Sequence, residues 1–350
     1  MEARARRDWA SADALKAQIE AAGWRVVDHG SRTSVSPAAP GTVVVEGEPR
    51  YGSSTAVPSL LAEPDAAAWT VVVIASEGPD RVSRLLAALR RHAPPQTRVV
   101  VVANDPSDAQ AAALGSEAPD LAPIAGAAPE VLRTSTRLGY ATALNVGLRR
   151  AVGEFVLISD ATAWPTGDAM TPLAAALHDP TVAAVGGFGL VAADRGPLRP
   201  NELRRAAPAI PDGDTTVLEG AWLAFRRSDY RDLGPLDEHF VAPGWLDVWW
   251  SLRLRAGVEP EGAAYVEPEG DLDSGDAPTV GVPTSGGPAV EVSVVETTQP
   301  EVVMPAPRRA VRLELALDRE DVAWPPDRSR LNRRNMYRVL DRFGWREDLA

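Results

Sequence analysis

Asp160 is the residue whose type and setting point most directly to chemistry. It closes the apolar run in FVLISDAT. A carboxylate at such a position can hold a divalent cation against a diphosphate, because Mg²⁺ is usually bound through one or two carboxylates plus phosphate oxygens. It can equally cap the turn before Pro165, and position alone does not separate the two roles. Other chemistries find little footing. The four histidines, His29, His92, His178 and His239, are dispersed and form no H-x-x-x-H pair. No serine sits in a G-x-S-x-G elbow. Cysteine is absent, which removes thiol nucleophiles, zinc ribbons and disulfide frameworks together. The GGFG string at 186–189 lacks the strand-then-helix spacing of a dinucleotide fingerprint and reads as a backbone bend.

Positioning Asp160 takes a sheet. Apolar, β-branched runs at 70–75, 98–103, 130–134 and 154–159 predict four strands. Helices are predicted between them at 80–92, 107–116 and 140–152, the first with Val82, Leu85, Leu86 and Leu89 on one face. Strands alternating with helices imply βαβ units around a parallel sheet, and runs that are apolar throughout imply strands covered on both faces. Ligands of such sheets bind beyond the carboxyl ends of the strands. That rule singles out Ser76 and Glu77, Asn104 and Asp105, and Asp160. Further along, 182–185 predicts a strand, 216–226 a strand pair or bent strand, and 244–256 a helix. A strand at 311–317 and a terminal helix at 328–343 complete the pattern.

The chain is 350 residues long and 45% hydrophobic, enough for a real core without staples. Its formal charge of −12 argues against a generic nucleic-acid binder. That charge is local. Residues 257–307 carry ten acids and no Lys or Arg; with those set aside, the remaining 38 acids nearly balance the 36 bases. The segment is rich in Gly, Pro, Ser and Thr, so a disordered insertion is expected, with a partner-binding tail as the alternative. The start, MEARARRDWASADALK, is charged and shows no signal peptide, and the apolar runs are strand-length, too short to span a membrane. A cytoplasmic protein is expected.

At this point whole strings become informative. TVVVIASEGPDRVSRLLAAL, VVVVANDPSD and VLRTSTRLGYATALNVGLRRAVGEFVLISDA, in that order, resemble the nucleotide-binding half of family 2 glycosyltransferases. LEGAWLAFRRSDYRDLGPLDEHFVAPGWLDVWWSLRLRAG resembles their acceptor half. The resemblance runs from 70 to 256 and resumes at 308–343. It implies a GT-A-like α/β fold, a mostly parallel sheet flanked by helices, and transfer of a sugar from a nucleotide-diphosphate donor to a hydroxyl acceptor. Carried over by position, it places Ser76, Glu77, Asn104 and Asp105 at the nucleotide, with Arg137, Gly139 and Asn145 shaping the loop against it. Asp160 becomes the metal carboxylate for Mg or Mn. Asp247 becomes the base that takes the acceptor proton. Trp222, Trp245, Trp249 and Trp250 concentrate near the implied acceptor pocket, where sugar stacking competes with core filling; Trp222, Trp245 and Trp249 are the substrate candidates.

Three departures accompany the resemblance. The metal motif reads Asp160-Ala161-Thr162, without its second carboxylate; Leu246 precedes Asp247 where the family has Glu; and Arg319, Glu320 and Asp321 occupy the neighbourhood of an expected histidine. A catalytically inert, nucleotide-binding or scaffold relative is therefore the alternative. Residues 4–35 resemble the C-terminal segment of cysteinyl-tRNA synthetases. This gives a third reading, an RNA- or synthetase-associated module using Arg4, Arg6, Arg7 and Lys16, against a plain appendage docking on the sheet. The expected organisation is a helix-strand appendage at 1–35 whose helix stops at Gly23, a connector at 36–69 with one strand candidate at 42–46, the transferase-like domain at 70–256, the acidic insertion at 257–307, and a completing strand and helix at 308–350.

Overall fold

Val, Ile and Ala dominate the long runs, and these residues lie extended because their branched side chains pack on both faces of a pleated sheet. In the computed structural model the described residues are 15–16, 19, 24–29, 32–37, 41–76, 78–115, 118–192, 203–205, 213–257, 306–320, 329–344 and 346–349. A hairpin of β1 (Trp24–His29) and β2 (Arg32–Pro37) comes first. It is followed by β3 (Val43–Val45), β4 (Glu48–Tyr51), β5 (Ala67–Ala75) and helix α1 (Pro79–His92). Then come β6 (Thr97–Ala103), α2 (Asp108–Ala113), β7 (Glu130–Thr134), α3 (Tyr140–Leu148) and β8 (Gly153–Ser159).

The second half runs β9 (Ala163–Pro165), α4 (Thr171–Leu177), β10 (Val182–Gly186) and β11 (Gly189–Val191). Four short strands follow: β12 (Arg204–Arg205), β13 (Gly213–Thr215), β14 (Val217–Leu218) and β15 (Leu223–Arg226). Helices α5 (Arg227–Leu233) and α6 (Leu246–Ala256) precede β16 (Arg309–Arg312), β17 (Leu317–Arg319) and α7 (Arg330–Phe343).

Ten strands form one sheet in the order β13-β16-β10-β15-β8-β5-β6-β7-β4-β3. Its centre is parallel: β5 lies between β8 and β6, with Val73 opposite Ser159 and Ala75 opposite Ala103. Successive residues of β5 alternate between two cores. Val72 faces the side covered by α3, α6 and α7, and Val71 and Val73 face the side covered by α1 and α4. Helix α3 lies so close to the sheet that a Cβ on Gly147 would come within 2.5 Å of Val72 Cγ1, which explains the glycine.

The expected mostly parallel α/β sheet is present, with some differences in detail. Residues 36–69, expected to be a connector with one strand candidate at 42–46, supply β3 at that candidate and also β4, which pairs parallel with β7 to extend the sheet edge. Glu46 and Gly47 both have positive φ there, the two-residue turn a tight hairpin requires. The strand expected at 311–317 is two short strands, and α3 ends at Leu148 rather than 152. The helix expected before Gly23 and the acidic stretch at 257–307 lie almost entirely outside the described residues.

Candidate active site

The carboxyl ends of β5, β6 and β8 share one rim, and Asp160 follows directly from β8. There a cavity of about 310 Å³ opens, lined by Tyr140, Asp160, Glu219, Asp247, Arg319 and Asn332 among others. The described chain contributes to it from several separate stretches between 140 and 332, so its chemistry is set by tertiary packing.

Asp160 does two things at once. Its Oδ1 accepts from the Thr162 N–H at 2.8 Å and from the Thr162 hydroxyl at 2.6 Å, closing a turn in which Ala161 has φ +63°. The turn-capping role is therefore real, and Thr162, standing where a second carboxylate was expected, serves it. The residue is nevertheless exposed and lines the cavity.

Asp247 sits in the first turn of α6. Trp245 just before it has φ +73°, a conformation costly for a bulky side chain, held here by a buried indole. The turn aims Asp247 across the cavity floor. Its Oδ2 accepts from the Gly220 N–H and its Oδ1 from the Val248 N–H, both at 2.9 Å. Gly220 fits closely against it, since a Cβ there would lie 3.4 Å from the Asp247 Cβ. Burial pushes the Asp247 carboxyl up to about 6, Glu219 and Asp160 add to the rise, and the two amide hydrogen bonds oppose it. Tyr140 faces the same two carboxylates, and burial followed by Asp160 and Asp247 pushes its phenol far upward, so it stays a neutral hydrogen-bond donor.

A cationic cluster completes the wall. Buried Glu219 accepts from Arg205 Nε and Nη2, both at 3.1 Å, and from Arg319 Nη2 at 2.6 Å. Arg319 arrives through pairing of β17 with β9, opposite Ala163, and the Glu320 N–H donates to the Thr162 carbonyl at 2.9 Å. The guanidinium of Arg319 lies 4.3 Å from the Phe188 ring centroid. Glu320 ties the same segment to α1 through Arg81 at 2.8 Å and Arg84 at 2.9 Å. The terminal helix holds the far rim: Asn335 Nδ2 donates to the carbonyls of Ala242 and Gly244 at 3.1 and 2.8 Å.

The residues expected from sequence divide accordingly. Asp160, Asp247 and Trp245 line this cavity, and so does Trp250. Trp222 does not; it is fully buried in the core beneath α1 and α4. Trp249 packs on Phe240, Trp250 and Phe343. Ser76 and Asp105 lie on the same rim, Asp105 exposed with φ +49°. Asn104 is buried and clamps the loop before α3, donating to the Leu138 carbonyl at 3.0 Å and accepting from its N–H at 2.8 Å. Arg137 is exposed in that loop. Gly139 caps α3, and a Cβ on it would come within 3.2 Å of Val241 Cα. Asn145 faces elsewhere: wholly buried, it donates to the Leu236 carbonyl at 2.9 Å and accepts from the Tyr230 hydroxyl at 2.9 Å. Glu77 and Asp321 lie outside the described residues.

Tyr140, Arg205, Glu219 and Asn332 were not singled out from sequence. One signal was present. An acid inside the apolar string VLEGAWLAF is either exposed by a bend or buried with a partner, and Glu219 is the second case.

Residues 70–235 match the family model described as Glycosyl transferase family 2. The match takes in a little under half of the chain. The fold agrees with that of a solved structure, GalNAc-T7 with UDP, GalNAc and Mn²⁺, at a TM-score of 0.53 and 13% identity. That match covers 79% of this chain and 48% of the other. The mannosyltransferase PcManGT from Pyrobaculum calidifontis, in complex with GDP-Man and Mn²⁺, matches at 25% identity and a TM-score of 0.40 over 57% of this chain and 55% of that one. TarS from S. aureus (residues 1–349) matches at 16% identity and a TM-score of 0.41, covering 54% and 55%. The chain thus spans about half the length of the solved structures it matches. No curated protein matches it by sequence. The family match leaves residues 4–35, with their resemblance to cysteinyl-tRNA synthetases, outside it. Among the described residues no helix is long and apolar enough to cross a membrane.

Proposed function

We propose that this chain transfers a sugar from a nucleotide-diphosphate donor to a hydroxyl acceptor, with Asp160 on the donor side and Asp247 as the base. The observation that carries this reading is that both carboxylates line one cavity beyond the carboxyl rim of the sheet, with Asp247 raised to about 6. A hydroxyl is a weak nucleophile until its proton leaves, and a carboxylate titrating near the working pH removes that proton most effectively. Two backbone amides fix the Asp247 carboxylate. Trp245 and Leu236 supply apolar wall for a sugar face. Tyr140 offers a neutral hydroxyl between the two carboxylates.

Of the solved structures named above, GalNAc-T7 holds Mn²⁺ with UDP and GalNAc, and PcManGT holds Mn²⁺ with GDP-Man. In this chain one oxygen of Asp160 is committed to Thr162, and among the described residues no three His, Cys, Asp or Glu side chains gather as an ion site. The residues fit Mg²⁺ or Mn²⁺ through the second oxygen of Asp160, with diphosphate oxygens and water completing the shell. Such an ion would offset charge on the departing diphosphate.

Calorimetric titration with UDP and GDP, followed by release of nucleoside diphosphate from UDP- and GDP-linked sugars over a panel of hydroxyl acceptors, tests the reading. Binding with acceptor-dependent release is the expected result. Binding without release under any acceptor returns the chain to the nucleotide-binding alternative, and absence of binding refutes the donor site.

A further inference from the structure

Two cations line the cavity among the described residues, Arg205 and Arg319, and both converge on Glu219. Two guanidiniums on one carboxylate give this cluster a formal charge of +1, facing the carboxylates of Asp160 and Asp247 across the same cavity. Arg319 is also under-used. It spends Nη2 on Glu219, its face lies on Phe188, and its buried Nε has no hydrogen-bond partner. Arginine presents five N–H donors in a planar fork matched to phosphate oxygens. The pairing of β17 with β9 sets this fork next to the Asp160 turn.

We infer that the Glu219–Arg319–Arg205 cluster is an anion subsite for the donor's diphosphate. Arg319 is the binding group, Arg205 a second contact from the rim, and Glu219 the positioning residue. The inference rests on the transferase reading above and deepens it, because part of the donor affinity then comes from guanidinium and survives removal of the divalent ion. Charge developing on a leaving diphosphate calls for fixed cations in a dry site, and this cluster supplies them from the chain itself.

The test is calorimetric binding of UDP, GDP, pyrophosphate and orthophosphate, each with Mn²⁺ and with EDTA. It uses the wild-type chain, Arg319→Gln, Arg319→Lys, Arg205→Gln and Glu219→Gln, with the Tm of each recorded. Arg319→Gln is expected to weaken nucleoside diphosphate and pyrophosphate by ~10-fold or more in both conditions, with Lys recovering part of the loss. Arg205 is one-third exposed on a short strand and leaves Glu219 still paired with Arg319, so Arg205→Gln perturbs the fold less than Arg319→Gln and is expected to weaken binding ~3- to 10-fold. Glu219→Gln is expected to weaken binding without abolishing it. Wild-type binding that requires Mn²⁺ and is unchanged in both arginine variants overturns the subsite and leaves the transferase reading standing. Arg319-dependent binding of pyrophosphate without binding of either nucleoside diphosphate keeps the subsite and removes that reading. Orthophosphate binding as tightly as pyrophosphate overturns the diphosphate assignment, and binding of none of the four overturns subsite and reading together.

Discussion

Replacing Asp247 by Asn separates its chemical from its structural role. The rise of its carboxyl from 3.8 to about 6 corresponds to about 3 kcal/mol, at about 1.4 kcal/mol per tenfold change. Because the folded form holds its proton more tightly than the unfolded chain, that cost is absent below pH 4. It appears as pH rises from 4 to 6 and is fully present above 6. Asn carries no charge and escapes the cost, but it has one acceptor oxygen for two amides, leaving the Gly220 or Val248 N–H unpaired at about 1–3 kcal/mol. At pH 7.5 the two effects nearly cancel. At pH 4.5 the variant is less stable than wild type. About a third of the cost is already present at pH 4.5, so denaturant unfolding at the two pH values should show a difference that moves by about 2 kcal/mol in favour of Asn. Transfer should fall by roughly 10²-fold or more with donor binding retained. In the wild type, turnover should rise with pH through about 6 as the carboxylate forms. A stability difference that does not change with pH would refute the desolvated carboxylate, and a variant that transfers sugar normally would remove Asp247 from the site.

Asp160→Asn keeps an acceptor oxygen for Thr162 and removes the charge; fold and Tm should persist while any enhancement of UDP or GDP binding by Mn²⁺ disappears in calorimetry. Asn145→Ala should destabilise by about 2–4 kcal/mol in urea unfolding, because it strands the buried Leu236 backbone groups and the Tyr230 hydroxyl. Gly147→Val should cost at least about 1–3 kcal/mol by forcing α3 away from Val72 and Val102, read as a lower Tm. Glu320→Gln loosens exposed pairs with Arg81 and Arg84, so unfolding should change by under about 1 kcal/mol.

The centre of this fold is written plainly in the sequence because β5, β6 and β8 are buried on both faces and their apolar runs are unbroken. From strand order alone, the carboxyl-end rule leads to Asp160 and the rim around it. Short edge pieces carry less pattern: the Val43–Val45 run marks β3, but β4, four residues with a proline, reads as connector. The direction of a side chain is also hidden. Nothing in the string ATALNVGL says that Asn145 turns toward Leu236, or that Trp222 and Trp250 enter different cores. Least legible is the meeting of Glu219 with Arg319, a hundred positions apart along the chain. It depends on β17 finding β9, a pairing of three residues whose register no local pattern sets.

Helix α7 fastens the 242–245 segment, and β17 delivers Arg319, so a nascent chain that has emerged only as far as Ala256 holds both Asp160 and Asp247 but not their enclosure. At ~5–20 residues per second the stretch from 257 to the end of α7 takes on the order of ten seconds to follow. During that interval the ribosome carries a sheet with both acidic groups in place and the pocket around them open. The enclosure forms only once β17 has paired with β9 and α7 has docked on the 242–244 carbonyls.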